Sequence, residues 1–418
     1  MAEILIQRGP TSKQANRSSS GGRRPVISGL KVALLTAGED KPYALGIGPA
    51  LAAEGIFVDF IGSDEVNGPE LHDNPLLNFL NLRGNQRRDA SGLEKVRRVL
   101  RYYARLIRYA ATAEPKIFHI LWNNKFEWFD RTLLMLYYRL MGRRIAFTAH
   151  NVNSGKRDSN DTFLNRLSLK TQYSLAHHIF VHTEKMKSEL MAQFAVRTEK
   201  VTVIPFGINN TLPNTELTRI QARETLGLSG HRKTMLFFGN IAPYKGLEHL
   251  IAALAEIARK DENYRLIIAG AVKDCGPYWK TIQQAIARAG VRERVIEKIG
   301  FIPDAEAELY FKAADVLVLP YNHIFQSGVL FLGYSFGLPV IATDVGSLKE
   351  DIIEGETGFV CQPKNPGELA KAIESYFASD LFRNLEARRG DIRDYANERY
   401  SWAKVAEISA KVYSRLLP

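Results

Sequence analysis

Short apolar segments with the length and composition of buried strands alternate with helical segments along nearly the whole chain after residue 29. Strands that alternate with helices in this way form a parallel sheet with helices packed on both faces. The first half of the chain is therefore predicted to be a doubly wound α/β domain. Its strand segments lie at 30–37, 56–62, 117–122, 144–150, 178–183 and 201–204.

The same alternation restarts after VTVIPFGINN (201–210), whose Pro, Gly and Asn residues interrupt regular structure. We therefore predict two doubly wound domains, at 29–207 and 208–394, preceded by a disordered polar tail at 1–28. Ligands of open α/β sheets bind at the carboxyl ends of the strands, so the cleft between the domains is the expected binding site. The second series of strand segments lies at 234–240, 264–271, 294–301, 315–321, 339–345 and 357–361.

The composition is that of a globular protein, with 418 residues and 45% hydrophobic content. Cys275 and Cys361 are far apart and lack metal-type spacing, which favours a reducing compartment and disfavours disulfides and zinc. The tail lacks the apolar core of a signal peptide. The most apolar helical segment, 131–142, is too short to span a bilayer and contains Arg139. We expect a cytoplasmic protein without a membrane span.

The formal net charge of +11 is concentrated between Arg83 and Arg108, where nine basic residues face two acidic ones. Within the helix predicted at 93–110, one apolar stripe opposes a basic face. This helix either packs on its own domain as a surface helix, which is the commoner case, or docks on anionic lipid. Nucleic acid ranks last because no binding motif is present. The stripe consists of Leu93, Val96, Leu100, Tyr103, Ile107 and Ala110.

Polar residues and glycines at the predicted carboxyl ends of strands are the candidates for chemistry. Lys245 lies between a strand and a helix, where an ammonium group can neutralise a diphosphate; a solvated lysine at a helix start fits the spacing equally well. His150 ends an apolar strand, and a buried histidine with a structural role is its alternative interpretation. The candidates are Gly38, His150, Gly239, Asn240, Lys245 and Phe301.

The segment 324–343 carries no charged side chain and joins two predicted strands through a loop and a short helix. This order places Gln326, Ser327 and Gly328 at the start of the helix, with Ser327 as its N-cap. Free amide groups and the positive end of the helix dipole would converge there and could bind a phosphate. A capped core helix without a ligand is the alternative.

Several enzyme classes lack their motifs in this chain. No G-x-G-x-x-G follows the first strand, and no G-x-x-x-x-G-K-[ST] occurs. The tripeptide Asp-x-Asp, which binds the metal in one type of sugar-nucleotide transferase, is also missing. The sequence therefore predicts no cofactor and no metal ion.

Three long motifs carry a family resemblance: FFGNIAPYKGLEHLI (237–251), EKIGFIPDAEAELYFKAADVLVLPY (297–321) and FGLPVIATDVGSLKEDIIEGETGFVC (336–361). They resemble the donor domain of the glycosyltransferases of family 4, which have the GT-B fold of two Rossmann-like domains facing across a cleft. FTAHNV (147–152) and VHTEKMKSEL (181–190) look like the first half of the same family. The resemblance covers nearly all the chain after Leu30. It also implies that residues 395–418 return to the first domain.

The resemblance implies transfer of a sugar from a nucleotide diphosphate sugar, without a metal and with retention of anomeric configuration. Lys245 matches the family lysine that contacts the diphosphate, and His150 matches the histidine beside the donor sugar. Gly38 matches the first glycine of the family's N-terminal glycine pair. Phe301 and Ile302 match the loop whose backbone meets the base. His150 and Lys245 are thus the expected catalytic residues.

The sequence departs from the family pattern at several positions. Members usually have two glutamates, one for the sugar and one for the ribose, where this chain has Ile324 and Leu332. Members commonly have arginine after the glycine that matches Gly239, where this chain has Asn240. Glu39 occupies the place of the second glycine of the N-terminal pair.

The turn QSGV, consisting of Gln326, Ser327, Gly328 and Val329, is expected to replace the missing charged contacts to phosphate or sugar. QSGVL resembles a pattern in some bacterial members of the family. The main hypothesis is a peripheral membrane enzyme at the inner face of the cytoplasmic membrane, with a lipid-linked or surface-polysaccharide acceptor. The alternatives are an inactive glycosyltransferase-like scaffold, favoured by the missing glutamates, and a sugar-nucleotide epimerase.

Overall fold

The computed structural model describes residues 29–37, 41–87, 90–124, 126–153, 155, 161–208, 212–228, 232–272 and 275–417. Two predictions, the disordered tail at 1–28 and the role of Gly38, lie outside the described residues. Within them the chain forms two parallel sheets with helices on both faces, so the predicted fold class is confirmed.

The first sheet has seven parallel strands in the order β3-β2-β1-β4-β5-β6-β7. Six of the seven correspond to predicted segments. The edge strand β3 was not predicted, because its side chains are mostly half-exposed and its sequence LNFLN lacks a continuous apolar run. The strands are β1 Lys31–Leu35, β2 Phe57–Gly62, β3 Leu77–Asn81, β4 Ile117–Ile120, β5 Arg144–Thr148, β6 His178–Val181 and β7 Val201–Val203.

Helices cover both faces of this sheet. Three of them begin at residues whose side-chain oxygen accepts a hydrogen bond from a backbone N–H of the first turn, namely Ser91, Thr162 and Thr183. A π-helical turn at Asp130–Leu134 joins α3 to α4. The helices are α1 Lys41–Ala53, α2 Gly92–Thr112, α3 Glu127–Phe129, α4 Met135–Leu140, α5 Phe163–Leu175 and α6 Glu184–Phe194.

Helix α2 confirms the predicted basic helix but corrects its apolar stripe. Only the second half of the helix is packed on the sheet, through Tyr102, Tyr103, Leu106 and Ala110. The side chain of Leu93, the first residue of the predicted stripe, is 82% exposed. The first half of α2 extends beyond the edge of the core. The apolar stripe of α2 is therefore buried only in the second half of the helix.

The second sheet has six parallel strands in the order β10-β9-β8-β11-β12-β13, and all of them correspond to predicted segments. Its central strands are buried on both faces and read as continuous apolar runs, as parallel strands require. The strands are β8 Lys233–Phe238, β9 Tyr264–Gly270, β10 Val295–Ile299, β11 Val316–Leu319, β12 Val340–Thr343 and β13 Gly358–Cys361.

The second set of helices packs on this sheet, except for the last one. The core of the second domain includes residues from α8, α10, α11, α12 and α14. The helices are α7 Arg219–Thr225, α8 Leu247–Ile257, α9 Gly276–Ala289, α10 Asp304–Ala313, α11 Gly328–Ser335, α12 Pro366–Ala378, α13 Asp380–Arg383, α14 Leu385–Arg399 and α15 Trp402–Leu416.

The chain returns to the first domain at its C-terminal end. Val405 and Tyr413 of α15 are buried in the same core as residues of α1, whereas Ala396 and Tyr400 belong to the core of the second domain. The crossing therefore lies between Tyr400 and Trp402, later than the predicted bound at 395. The division into 29–207 and 208–394 remains our proposal for the two domains.

Trp402 is the first residue after this crossing, and two glycines make room for its ring. A Cβ atom placed on Gly46 of α1 would lie 2.0 Å from Trp402 Cε2, and one on Gly207 would lie 2.4 Å from the same ring. The indole Nε1 donates a hydrogen bond to the carbonyl oxygen of Ile208 at 2.9 Å. Trp402 thus packs into the joint between the two domains.

The substitution Gly46→Ala is expected to destabilise the protein, because the new methyl group overlaps the Trp402 ring within a packed joint. We expect a loss of about 1 to 3 kcal/mol in the free energy of unfolding, measured by urea denaturation. Gly92→Ala, also within a helix, is the matched control, because no atom of the described residues lies within 4 Å of its added Cβ. Equal unfolding midpoints for the two variants would contradict the packing described for Trp402.

Candidate active site

A cavity of about 290 Å³ lies between the two domains at the carboxyl ends of their strands. Phe206 follows β7 on one side, while Lys245 follows β8 and Gln326 follows β11 on the other. Both domains and the helix α15 thus contribute to one site, as expected for open α/β sheets. The lining residues are Pro42, Tyr43, Phe206, Gly207, Lys245, Ile324, Gln326, Ser327, Gly328, Val329, Phe331, Leu332 and Trp402.

Lys245 supplies the positive charge of this cavity. Its side chain is 5% exposed, and its Nζ atom donates a hydrogen bond to Tyr321 Oη at 2.8 Å and lies 4.6 Å from the centre of that ring. In the described parts of the chain, no carboxylate lies within ion-pair distance of Lys245. A buried charge without a counter-charge is costly. The site therefore favours an anionic ligand that supplies the missing negative charge.

Two glycines determine where Lys245 lies. Gly246, with φ of 63°, follows a single 3₁₀ turn, and a Cβ atom at this position would lie 2.1 Å from the carbonyl oxygen of Pro320. This close approach brings the lysine loop against the end of β11, where Tyr321 is located. A Cβ atom on Gly239 would lie 3.6 Å from Lys245 Nζ and 3.5 Å from Val329 Cγ2. The structure thus brings Gly239, Lys245 and Val329 together.

The turn before α11 provides backbone donors beside Lys245. Ser327 occupies the N-cap position, but its side chain does not cap the helix as predicted; its Oγ atom lies 3.3 Å from Tyr321 Oη instead. The first amide groups of a helix have no partner within the helix. Gly328 and Val329 carry such groups and line the cavity. A lysine, a tyrosine hydroxyl and a helix N-terminus therefore meet at one point, which is a suitable arrangement for a phosphate.

Gln326 is held at the edge of the cavity by a buried carboxylate. Its Nε2 atom donates to Asp351 Oδ2 at 3.4 Å, and Asp351 Oδ1 accepts a hydrogen bond from Tyr400 Oη at 2.8 Å. Burial raises the pKa of Asp351 from 3.8 to about 6. Ile324 and Leu332, which replace the two expected glutamates, also line the cavity and make this part of its surface apolar.

His150 lies in an aromatic cluster beside the cavity and does not line it. Its ring stacks flat on Trp122, with centroids 4.1 Å apart, and contacts the edge of Tyr43, which does line the cavity. Its Nδ1 atom is 3.0 Å from Nε2 of His182. Burial lowers the pKa of His150 well below its ordinary value, so the ring is neutral at physiological pH. Its predicted catalytic role remains a prediction.

The other predicted site residues lie along the same edge of the second sheet, outside the cavity lining. Asn240 is exposed, Phe301 is 77% exposed, and Ile302 is half-buried against the second core. Three neighbouring strands end in glycines there. Gly239 N donates to the carbonyl of Ala269, and Gly300 N donates to that of Gly270, which places the ends of β8, β9 and β10 side by side.

Several lining or contacting residues were not predicted from the sequence, among them Tyr321, Tyr43, Phe206 and Trp402. Tyr321 ends the segment DVLVLPY, so the rule that selected Lys245 and His150 could also have selected it. Tyr43 and Phe206 carry no local signal beyond their place after or near a strand. Trp402 reaches the cavity from the C-terminal helix, a long-range contact that residue spacing cannot reveal.

Two negative findings apply to the described parts of the chain only. No group of three or more His, Cys, Asp or Glu side chains is placed there to hold a metal ion. None of the helices described has both the length and the apolar character needed to cross a bilayer.

Two protein families match the chain in succession. Residues 42–212 match Glycosyltransferase Family 4, and residues 218–399 match Glycosyl transferases group 1. The first match ends at residue 212 and the second begins at residue 218, close to the proposed boundary between the two domains.

Curated relatives match part of the chain. A D-inositol 3-phosphate glycosyltransferase of Corynebacterium aurimucosum is 27% identical over 281 residues, 65% of this chain and 66% of the relative. An uncharacterized glycosyltransferase of Methanocaldococcus jannaschii is 29% identical over 234 residues, 55% of this chain and 58% of the relative. The matched region thus spans less than two thirds of the length of either relative.

Solved structures share the fold over nearly the full length. Sucrose-phosphate synthase from Thermosynechococcus elongatus superimposes with a TM-score of 0.71 at 20% identity, covering 93% of this chain and 99% of that one. The Anabaena protein HepE in complex with UDP-glucose gives a TM-score of 0.69 at 18% identity, covering 92% and 100%. These similarities confirm two Rossmann-like domains facing across a cleft, the GT-B fold.

The raised pKa of Asp351 predicts a specific pH dependence of stability. Between about pH 4 and pH 6 the folded protein retains a proton that the unfolded chain releases, so this group's contribution to the free energy of unfolding falls as pH rises. Asp351→Asn removes the titration and can still accept from Tyr400. We expect the variant to gain up to about 3 kcal/mol relative to the wild type between pH 4 and pH 7, by urea denaturation. Parallel pH profiles would contradict the raised pKa.

Proposed function

Because the chain belongs to family 4 of the glycosyltransferases, we propose that it transfers a sugar from a nucleotide diphosphate sugar to an acceptor without a metal ion. The observation that carries this proposal is the buried ammonium group of Lys245, which has no carboxylate partner in the described parts of the chain and lies beside the helix N-terminus at Gly328. Both are aimed at one cavity between the two domains.

The bond that breaks joins the anomeric carbon of the sugar to an oxygen of the terminal phosphate. As it breaks, negative charge develops on the departing nucleoside diphosphate. Lys245 and the first amides of α11 are already in place to stabilise that charge, so little reorganisation is needed in the transition state. Tyr321 holds the ammonium group in this position through a 2.8 Å hydrogen bond.

We place the nucleoside along the glycine-ended edge of the second sheet. Gly239, Gly270 and Gly300 carry no side chains, so a planar base can lie against the backbone of this edge near Phe301 and Ile302. A Cβ atom on Gly270 would lie 1.8 Å from the carbonyl oxygen of Gly239, so this position requires glycine for packing as well.

We place the donor sugar toward Tyr43 and His150, on the first-domain side of the cavity. His150 is neutral and held between Trp122 and His182, which suits it for a hydrogen bond to a sugar hydroxyl. Retention of anomeric configuration is the outcome that the family implies, and product analysis is its direct test.

The apolar pair Ile324 and Leu332 favours a second candidate function, a scaffold that binds nucleotide and transfers nothing. Carboxylates at these positions would accept hydrogen bonds from hydroxyl groups of the donor, and none of the lining residues described is a carboxylate. That lining also disfavours an epimerase, which needs acid and base groups at the sugar. Release of free nucleoside diphosphate in the presence of a lipid extract separates a transferase from a scaffold.

We propose a lipid-linked or surface-polysaccharide acceptor, reached from an anionic membrane surface. Three adjacent helices of the first domain, α2, α4 and α5, expose apolar side chains next to exposed arginines such as Arg97 and Arg101. Such a surface combines apolar insertion with attraction to anionic lipid. The exposed apolar side chains include Leu93, Val96, Leu100, Ile107, Leu136, Leu140, Phe163, Leu164 and Leu167, together with Leu133 of the π-helical turn before α4.

The substitution Lys245→Met keeps the length of the side chain and removes its charge. We expect affinity for UDP or GDP, whichever binds the wild type, to fall roughly 10- to 100-fold, because a hydrogen bond to a charged group is lost. Isothermal titration calorimetry measures this change. Lys280→Met, on an exposed face of α9, is the matched control. Unchanged nucleotide affinity in the Lys245 variant would remove this residue from the site.

The double substitution Arg97→Gln with Arg101→Gln tests the membrane surface. Each cation near an anionic bilayer contributes about 1 kcal/mol, so we expect binding to phosphatidylglycerol vesicles to weaken about 30-fold in sedimentation. Lys280→Gln with Arg288→Gln removes the same charge from exposed positions of the second domain and serves as control. Equal pelleting of both variants would contradict docking through α2.

A further inference from the structure

A second, small cavity lies in the first domain and is distinct from the cleft. Its volume is about 30 Å³, room for about two water molecules and hence for a single phosphate group. Arg83 enters it from the loop after β3, Lys95 and Arg98 from the first half of α2, and Asn124 from the loop after β4. We name this cavity the basic pocket.

The basic pocket has three cations and no described acid to balance them. None of Arg83, Lys95 and Arg98 lies within 4 Å of a carboxylate of the described residues. The guanidinium group of Arg83 lies over the ring of Tyr102, 5.3 Å from its centre, and its buried Nη1 atom has no hydrogen-bond partner among the described residues. A buried donor that lacks an acceptor is unfavourable, and an anion in the pocket would supply one.

The polar groups behind the basic pocket bond to one another, except for Asp130 Oδ2, which is buried and has no hydrogen-bond partner in the described structure. Asn124 Oδ1 accepts from Tyr102 Oη at 2.9 Å, and Asn124 Nδ2 donates to Asp130 at 3.3 Å. Asp130 also accepts from Tyr103 Oη at 2.9 Å, and burial raises its pKa to about 6. This carboxyl group faces Asn124 and Tyr103 and is not part of the pocket lining. The donors left for a ligand are therefore cationic.

The basic pocket lies close to the residues that we place beside the donor sugar. Asn124 follows Trp122 by two residues, a span of at most about 7 Å, and Trp122 stacks on His150. The pocket thus opens at the same sheet edge as the proposed donor-sugar site, on the side of the first domain. On this basis, and resting on the proposed function, we propose that the basic pocket binds a phosphate group carried by the acceptor.

The phosphate could belong to an acceptor molecule or to a lipid headgroup of the bilayer, since α2 also contributes to the proposed membrane surface. Two matched variants separate these sources. Arg83→Gln with Arg98→Gln removes two cations of the basic pocket. Arg97→Gln with Arg101→Gln removes the same charge from exposed positions of the same helix that do not line it.

The test titrates the full-length protein with glycerol 1-phosphate at saturating UDP or GDP, so that the site at Lys245 is filled. We expect the wild type and the Arg97/Arg101 variant to bind equally, and the Arg83/Arg98 variant to lose roughly tenfold or more in affinity. Pelleting with phosphatidylglycerol vesicles should show the reverse pattern, with the larger loss in the Arg97/Arg101 variant.

Two results would overturn the proposal. The first is that the two variants bind glycerol 1-phosphate with equal affinity. The second is that the wild type does not bind glycerol 1-phosphate, whereas the Arg83/Arg98 variant loses binding to vesicles. Lys95→Gln provides a second variant with a half-exposed side chain if the double variant unfolds, and the same loss of affinity is expected from it. Failure of UDP and GDP to bind the wild type would count against the proposed function itself, whereas normal nucleotide binding without a phosphate site would count against this inference alone.

Discussion

The arrangement of this molecule depends on one buried ammonium group without a counter-charge. Lys245 is enclosed between the end of β8, the end of β11 and the start of α11, and its only polar partner in the described structure is the hydroxyl of Tyr321. Burying such a charge is costly, and the cost is offset when an anion enters the cavity. The glycine at position 246 and the sharp approach to Pro320 enforce this geometry. We therefore propose that the site is organised for a diphosphate before one arrives.

The packing between the two domains determines which groups surround Lys245 in the cleft. Trp402 fits against two glycines and contacts Tyr43, and both rings line the cleft together with Phe206, so the cleft wall is built from aromatic rings of separate chain segments. Aromatic walls suit the apolar faces of sugars, whereas the charged contacts are confined to Lys245 and the helix start. Ile324 and Leu332 occupy the positions of two expected glutamates, so this part of the cleft wall is also uncharged. We propose that neutral groups such as Gln326 and His150 recognise the donor hydroxyls.

The sequence predicted the parts of the fold that depend on local patterns. Buried parallel strands read as continuous apolar runs, which is why twelve segments were recognised and the edge strand β3, with its half-exposed side chains, was not. Candidates at strand ends followed from topology, since parallel strands place their carboxyl ends at one edge. Partners that come from distant segments could not be predicted. The position of Trp402 and the exposure of the first half of α2 both depend on how far the core extends. Ser327 does not cap α11, because its hydroxyl lies beside that of Tyr321 instead.

The most direct measurement of the central claim is a crystal structure of the protein with a bound nucleoside diphosphate. We expect the two phosphates to lie within hydrogen-bond distance of Lys245 Nζ and of the amides of Gly328 and Val329, with the base along the edge formed by Gly239, Gly270 and Gly300. A nucleotide bound elsewhere, with Lys245 still paired only to Tyr321, would contradict it.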